Sequence, residues 1–398
     1  MTAPLAPTLL RVIDQLLPEL IDFRRDLHAH PELSFEEHRT SERLRSRLEA
    51  AGLTPRSVGE TGLVVDLGAP EPRRRVALRG DLDALPVRER SGLDWSSTVD
   101  GVCHACGHDV HTTALLGAGL ALAEVADELA ARHVAVRLLF QPAEERMPGG
   151  ALQFVQAGVM QGVDTVYAVH CDPALDVGEI GLREGALTAA ADQVTVTLRG
   201  RGGHTSRPFL TEDLTYALAK VITDVPGVLS RRVDPRAGLV LVWGKVSAGE
   251  AINVIPSTGV AQGTLRMLDV NLWEEIGPLL HEVIDDVVRP YGVDAAVDHV
   301  RGVPPVVNDA PAVAALGRAT MAAGLRPVPT PHSLGGEDFA WMLHDAEGAM
   351  ARLGTRTHGG RTFDLHQGDL VVDEGAVRNG TALLAIAAAG EWTRVEAD

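Results

Sequence analysis

Gly101 to His111 reads Gly-Val-Cys-His-Ala-Cys-Gly-His-Asp-Val-His, gathering two thiols, three imidazoles and one carboxylate. Thiolate and imidazole are the donors that borderline divalent cations prefer, so the stretch reads first as metal-binding. Cys106 and His108 bracket one glycine, which lets a tight turn aim both side chains at one ion. A helix starting near His111 points its amino end at this region, where the dipole favours a thiolate. The cluster alone leaves a structural and a catalytic metal both open. A self-contained zinc knuckle needs a second CxxC or HxxxH pair, and none stands elsewhere in the chain.

Acidic residues supply the other half of the chemistry. Glu144 and Glu145 follow the apolar run His133–Phe140. Adjacent residues of an extended segment point in opposite directions, so one carboxylate would face a metal and the other a substrate pocket. Paired acids on a loop are more often merely solvated; their position after a buried strand favours function. Asp81 and Asp83 follow the run Arg75–Arg79 in the same way. One of them would orient a metal-bound histidine, although Asp83, shortly before Pro86, also suits a turn cap. His170 ends a third apolar run from Thr165, and His366 lies in Asp364-Leu365-His366-Gln367. With 15 histidines in the chain, periodicity singles out neither.

The elements that must hold these residues are those of an α/β protein. Val12–Glu49 reads as helical with a break at His28–Glu32, and the three apolar runs read as buried parallel strands. Each run places a ligand-capable residue past a strand's carboxyl end, the edge at which open α/β sheets bind. From about residue 187 the pattern changes. Ala191–Arg199 alternates as a strand, Glu212–Leu229 as a helix, Gly238–Val246 and Gly259–Met267 as strands, Leu272–Val288 as a helix and Val293–Val300 as a strand. This βαββαβ order is ferredoxin-like. The expected architecture is thus a catalytic metal-binding domain, residues 1–186 and 301–398, with a mixed, largely parallel sheet and flanking helices. A ferredoxin-like lid and dimerisation domain, residues 187–300, interrupts it.

Bulk properties narrow the functions. The chain has 398 residues, ample for two domains. A net charge of -18 opposes binding to a phosphate backbone, so no nucleic acid is expected. Lys220 and Lys245 are the two lysines, neither in a phosphate loop, and no GxxxxGK[ST] run occurs. Cys103, Cys106 and Cys171 make an odd count, two of them in the cluster, which reads as reduced thiols. Met1–Arg11 lacks a basic start followed by an apolar core, and Thr113–Leu122 is too short to span a membrane. No membrane association and a cytoplasmic location are expected.

Five strings carry a family resemblance: Arg25-Asp26-Leu27-His28-Ala29-His30-Pro31-Glu32-Leu33, Arg79-Gly80-Asp81-Leu82-Asp83-Ala84-Leu85-Pro86, Cys103-His104-Ala105-Cys106-Gly107-His108-Asp109, Gln141-Pro142-Ala143-Glu144-Glu145 and Gly335-Gly336-Glu337-Asp338-Phe339. In this order they resemble the amidohydrolase branch of the aminoacylase/carboxypeptidase family of two-metal metallopeptidases, from about residue 20 onward. The resemblance implies two divalent ions per subunit, zinc, manganese, cobalt or nickel, held by Cys106, His108, Glu145, His170 and His366. It implies Glu144 as general base and acid, and Asp81 as the carboxylate behind the ligands. His204, in Gly202-Gly203-His204-Thr205-Ser206, is similar to a family histidine that helps hold the reacting carbonyl, in some relatives across a dimer. Asn253 and Arg266 match lid positions associated with the substrate carboxylate. His28, His30, His104, His111 and Glu337 read as scaffold. Three features depart from the pattern: Arg79 stands where other branches carry a metal-binding histidine, Arg146–Gly150 replaces a glycine-rich run, and Cys171 follows His170 where a small aliphatic residue is usual.

The implied reaction is hydrolysis of the amide of an N-acyl amino acid or small peptide-like compound by a metal-activated water, in a homodimer joined through the lid. A dipeptidase or carboxypeptidase of the same family is the alternative. A cysteine-nucleophile hydrolase using Cys106 and a catalytically silent metal-bearing binding protein compete from other classes. Insensitivity to chelators would mark the first, and the presence of Glu144 speaks against the second.

Overall fold

The computed structural model describes residues 4–390. Of the Met1–Arg11 stretch, residues 1–3 lie outside the described residues, as do residues 391–398 of the expected catalytic segment. The chain opens with helices α1 (Ala6–Ala29) and α2 (His38–Ala50) and strands β1 (Arg56–Val58), β2 (Gly62–Gly68) and β3 (Arg74–Asp81). Helices α3 (His108–Ala123) and α4 (Ala126–Ala131), strand β4 (Val134–Gln141), helix α5 (Gly150–Gln156) and strands β5 (Thr165–Asp176), β6 (Glu179–Leu182) and β7 (Gly185–Ala186) follow. Next come β8 (Ala190–Arg199), β9 (Gly203–His204), α6 (Leu214–Arg232), β10 (Val240–Ala248), β11 (Val254–Ile255), β12 (Thr258–Met267), α7 (Val270–Val288) and β13 (Asp294–Val303). The chain then forms β14 (Val307–Asn308), α8 (Ala310–Ala322), β15 (Arg326–Pro329), β16 (Glu347–Arg356) and α9 (Gly375–Ala389).

Two compact units result. The first comprises Met1–Gly185, Val307–Pro331 and Asp338–Asp398. It is built on an eight-stranded sheet of order β1-β2-β4-β3-β5-β16-β6-β15. The central strands β4, β3, β5 and β16 run parallel, and antiparallel pairings flank them. They are buried almost end to end, so their sequences are apolar runs without alternation, as strands covered on both faces require. Register aligns Asp81 of β3 with Gln141 of β4, so both strands end at one edge and their loops leave together. Helix α3 is buried all round, which accounts for its uniform apolarity. Thr113–Leu122 therefore lies in the core; among the described residues no helix is long and apolar enough to cross a membrane.

The second unit comprises Ala186–Val306 and His332–Glu337. Its sheet order, β10-β12-β8-β13, with every neighbour antiparallel, is the ferredoxin-like arrangement. On β8 the residues Val194, Val196 and Leu198 are buried in alternation with more exposed ones, the period-two signature of a half-covered sheet. Helices α6 and α7 start where Asp213 and Asp269 accept the N–H groups of Tyr216 and Leu272.

Candidate metal centre

The turn Cys106-Gly107-His108 is the corner of the site. Gly107 has φ 85°, a left-handed conformation that costs a side chain dearly, and a Cβ on it would lie 2.8 Å from Cys171 Sγ. The buried Cys171 thus packs against this turn. Gly107→Ala should cost about 1–3 kcal/mol of stability by chemical denaturation. Adding Cys171→Ala should recover only the part due to the clash, leaving the backbone strain.

His108 begins α3, and its ring is fixed. Nδ1 donates to Asp83 O at 2.9 Å and lies 3.2 Å from Asp83 Oδ1. The opposite nitrogen, Nε2, is buried and makes no hydrogen bond among the described residues. Around it stand Asp81 Oδ2 at 3.7 Å and Glu144 Oε2 and Glu145 Oε1, both at 3.9 Å. His170 repeats the arrangement: Nδ1 donates to Cys171 O at 2.8 Å, leaving Nε2 3.6 Å from Cys106 Sγ. Burial holds His170 well below the usual imidazole range, so its lone pair stays available. His366, with φ 60°, arrives from the far end of the chain and is anchored by its N–H on Ala105 O at 2.7 Å. Its Nε2 lies 3.2 Å from Glu145 Oε1.

The thiol joins two overlapping groups, Cys106 with His108 and His170, and Cys106 with Glu145 and His366, and His108 also groups with Glu144 and Glu145. Ligands about 2.0–2.3 Å from one tetrahedral ion lie about 3.3–3.8 Å from each other, close to the 3.2 and 3.6 Å seen here. Electrostatics agree with a cation. Hydrogen bonding to Cys106 and Glu145 pushes His366 up to about 10, so this corner favours a positive charge. Burial, with the nearby Glu145 charge, pushes the Cys106 thiol up; a bound cation reverses that. An unbonded buried imidazole nitrogen beside a thiol and two carboxylates fits a metal.

His111 groups with Asp81 and His108, but both of its ring nitrogens are already used. Nδ1 donates to Asp81 Oδ1 at 2.7 Å, and Nε2 accepts the Cys171 N–H at 2.8 Å. Asp81 also takes Arg79 Nη1 at 2.7 Å. Arg79, fully buried, binds Gln141 Oε1 at 2.8 Å and Asp338 Oδ1 at 2.7 Å as well. It acts as an ionic tie between strand ends.

The carboxylate bonded to His108 is Asp83, which the sequence also suited to a turn cap. Asp83 accepts the N–H groups of Glu144 at 3.1 Å and Glu145 at 3.0 Å, and the Ser34 hydroxyl at 2.7 Å. Two consecutive N–H groups on one carboxylate need a bent backbone, supplied by Ala143 at φ 54°. Buried Glu37 secures that bend by accepting the Ala143 N–H at 2.8 Å. The two glutamates consequently converge on His108 and do not diverge as an extended segment would make them. His170 likewise departs from expectation: β5 runs on to Asp176, paired with β16, so His170 sits inside a strand, opposite Arg352. Among Arg146–Gly150, Gly150 lies where a Cβ would be 2.0 Å from Pro142 O, so the glycine is required there.

Behind the turn, buried Asp109 forms an ion pair with Arg24, whose Nε lies 2.6 Å away, and bonds His28 Nδ1 at 2.9 Å, and His28 Nε2 meets Glu89 Oε1 at 3.1 Å. His104, 6.2 Å from His28 between ring centres, is held down to about 4 by burial and stays neutral. Burial would raise the Glu89 carboxyl, but hydrogen bonds from His28, Ser91 and the Ser97 N–H hold it at about 2. A depressed carboxyl stabilises the fold above its ordinary pKa near 4.5, and that contribution fades as pH falls towards 2. Glu89→Gln should therefore be less stable than the unaltered chain at pH 6, with the gap closing as pH falls from 4.5 to 2 in denaturant titrations.

His204, Asn253 and Arg266 belong to the second unit. Pairing of β9 with β11 sets His204 opposite Val254, beside Asn253, and both are exposed. Ser206 N–H and Oγ lie 3.1 and 2.8 Å from His204 Nδ1. Arg266, on β12, donates to Leu334 O at 2.5 Å.

A Bacillus subtilis N-acetyl-L-cysteine deacetylase is 35% identical over 366 residues, 92% of this chain and 86% of that one. A Rhodococcus jostii protein named as a glutamate–cysteine ligase is 47% identical over 369 residues, 92% of this chain; the match spans 46% of that protein's length. The crystal structure of Bacillus subtilis YXEP, described as a dinuclear metal-binding peptidase, superposes with a TM-score of 0.83 at 31% identity, covering 94% of this chain and 98% of that one. Residues 77–389 match the profile of peptidase family M20/M25/M40, and with a catalytic unit, a ferredoxin-like unit and a thiol–imidazole–carboxylate centre in place, the chain belongs to that family.

Proposed function

We propose that this chain hydrolyses the amide bond of N-acyl amino acids or small peptide-like amides, with Glu144 carrying the proton beside a centre of two divalent ions. The observation that carries the reading is the convergence of the Glu144 and Glu145 carboxylates on the unbonded Nε2 of His108. Cys106, His108, Glu145, His170 and His366 are the proposed ligands, and their mixed softness suits zinc, manganese, cobalt or nickel. Such ions, when bound, polarise a carbonyl and lower the pKa of water towards neutrality.

Glu144 takes the proton of the attacking water and hands it to the leaving amine. Asp83 holds the Glu144 and Glu145 backbones through its carboxylate and the His108 ring chiefly through its carbonyl oxygen, so the acid–base group and two ligands are set by one residue. Asp81 fixes His111 and, through it, the Cys171 N–H that follows His170. The Ser206 N–H bonded to His204 Nδ1 leaves the ring proton on Nε2, where it can donate to a developing oxyanion. Arg266, with Asn253, is the proposed anchor for the substrate carboxylate, which a guanidinium binds bidentately.

Assembly and location belong to the same proposal. Edge strand β10 exposes Val242 and Val246, a surface suited to a homodimer; light scattering at twice the chain mass is the expected result. Three buried free cysteines suit the reducing cytoplasm.

Chelation tests the reading. Phenanthroline should abolish hydrolysis of N-acetyl, N-benzoyl and longer N-acyl amino acids, and one of the four metals should restore it. Activity that survives complete metal removal would overturn it in favour of a Cys106 nucleophile.

A further inference from the structure

Within the first unit, walled by sequence neighbours of two proposed ligands, lies a cavity of about 590 Å³ that the mechanism above leaves unused. Two of the four ligand-bearing segments contribute to its wall through neighbours of the ligands: Leu365 and Gln367 flank His366, and Asp172 stands two residues beyond His170. The volume falls in the range of small-molecule sites and far exceeds what an acetyl group fills. Phe363 and Leu365 give it apolar surface.

Its charges are distributed unevenly. Arg361 is already committed, paired with Asp369 at 2.6 Å and stacked over Phe363 at 4.7 Å. Arg90 is not: its guanidinium makes no hydrogen bond or ion pair among the described residues. Its backbone is nonetheless fixed, with the N–H donating to Gly368 O at 2.5 Å. At Gly368 a Cβ would lie 2.0 Å from Arg88 O, so the two segments meet closely. Asp172 and Asp364 accept only the neighbouring N–H groups of Ala174 and Leu365, each at 2.9 Å, and meet no cation among the described residues. One unpaired cation and two unpaired carboxylates thus share a cavity. A simple anion entering it would be repelled by two acids, and an alkyl chain would leave all three charges unmatched. A group bearing both an ammonium and a carboxylate answers each of them.

We infer that this cavity is the acyl subsite and that it selects acyl groups ending in an α-amino-carboxylate, with Arg90 taking the carboxylate and Asp172 and Asp364 the ammonium. The inference rests on the amidohydrolase reading, in which Arg266 is assigned to the other half of the substrate.

Three leucine amides of equal acyl length test it on the metal-loaded enzyme: γ-glutamyl-leucine, glutaryl-leucine, which lacks the ammonium, and pentanoyl-leucine, which lacks both charges. The first should exceed each of the others in kcat/KM by at least about tenfold, the scale of one charged hydrogen bond. Arg90→Gln should collapse the γ-glutamyl to pentanoyl ratio by a similar factor, and Asp172→Asn the γ-glutamyl to glutaryl ratio. Equal or better turnover of pentanoyl-leucine, or ratios indifferent to Arg90→Gln, would overturn the assignment. If no amide is cleaved, N-acetyl-leucine included, the hydrolase reading itself fails. Calorimetry with free glutamate then decides the cavity alone: binding weakened at least about tenfold by Arg90→Gln sustains it, and absence of binding removes it.

Discussion

Glu144→Gln should lower kcat on a cleaved N-acyl amino acid by about 10²–10⁴, the usual contribution of a general acid–base group, while metal content stays at the unaltered level. The substitution preserves shape and keeps the backbone N–H that Asp83 accepts at 3.1 Å, so the loop has no reason to move. It removes the capacity to hold a proton. The neighbouring change should behave differently. Glu145→Gln takes a charged oxygen from the group it forms with Cys106 and His366, so bound metal and turnover should fall together. Metal analysis by mass spectrometry beside steady-state kinetics separates the two variants. Full turnover by Glu144→Gln would mean that another group moves the proton. Because both side chains stand 3.9 Å from the same imidazole nitrogen, distance does not assign their roles, and this pair of measurements does.

The parts of this arrangement legible in the sequence are those set by local pattern. Short, largely apolar runs marked β3 and β4, and polar residues straight after them had to leave the sheet at one edge. Alternation along Ala191–Arg199 marked β8, and helical periodicity over Glu212–Leu229 and Leu272–Val288 marked α6 and α7 of the second unit. What escaped was set by partners remote in sequence. His170 lies inside β5 because β16, some 180 residues later, extends the pairing to Asp176. The convergence of Glu144 and Glu145 depends on Ala143 being left-handed, a conformation that no alanine advertises and that Glu37 holds in place. Asp83 read equally well as a turn cap, since its partners Ser34, His108, Glu144 and Glu145 come from separate segments. Residues 332–337 likewise group with the second unit through the Ser333 N–H on Leu187 O and the Ala189 N–H on Gly335 O, contacts without a local signal.

Asp83→Asn should weaken metal affinity by about 10–100-fold, the usual effect of losing a group that orients a ligand, and should depress turnover beyond the loss of metal. The reason is a count of donors. Asp83 is buried and its two oxygens receive the N–H groups of Glu144 and Glu145 and the Ser34 hydroxyl, with His108 Nδ1 alongside. An asparagine keeps one acceptor oxygen and turns an NH₂ towards donors, leaving at least one buried N–H unbonded. The backbones of a ligand, Glu145, and of the acid–base residue, Glu144, are then loosened together, while His108 Nδ1 keeps only its bond to the Asp83 carbonyl oxygen. Asp81→Asn makes the contrast. Its carboxylate faces Arg79 and His111, so its loss leaves a buried guanidinium short of an anion, and the cost should appear as stability, about 3–5 kcal/mol. Competition against a chromophoric chelator measures the first effect, and denaturant unfolding the second. Should Asp83→Asn bind metal as tightly as the unaltered chain while Asp81→Asn loses it without unfolding, then the Asp81–His111 pair, and not Asp83, would be what orients the ligands.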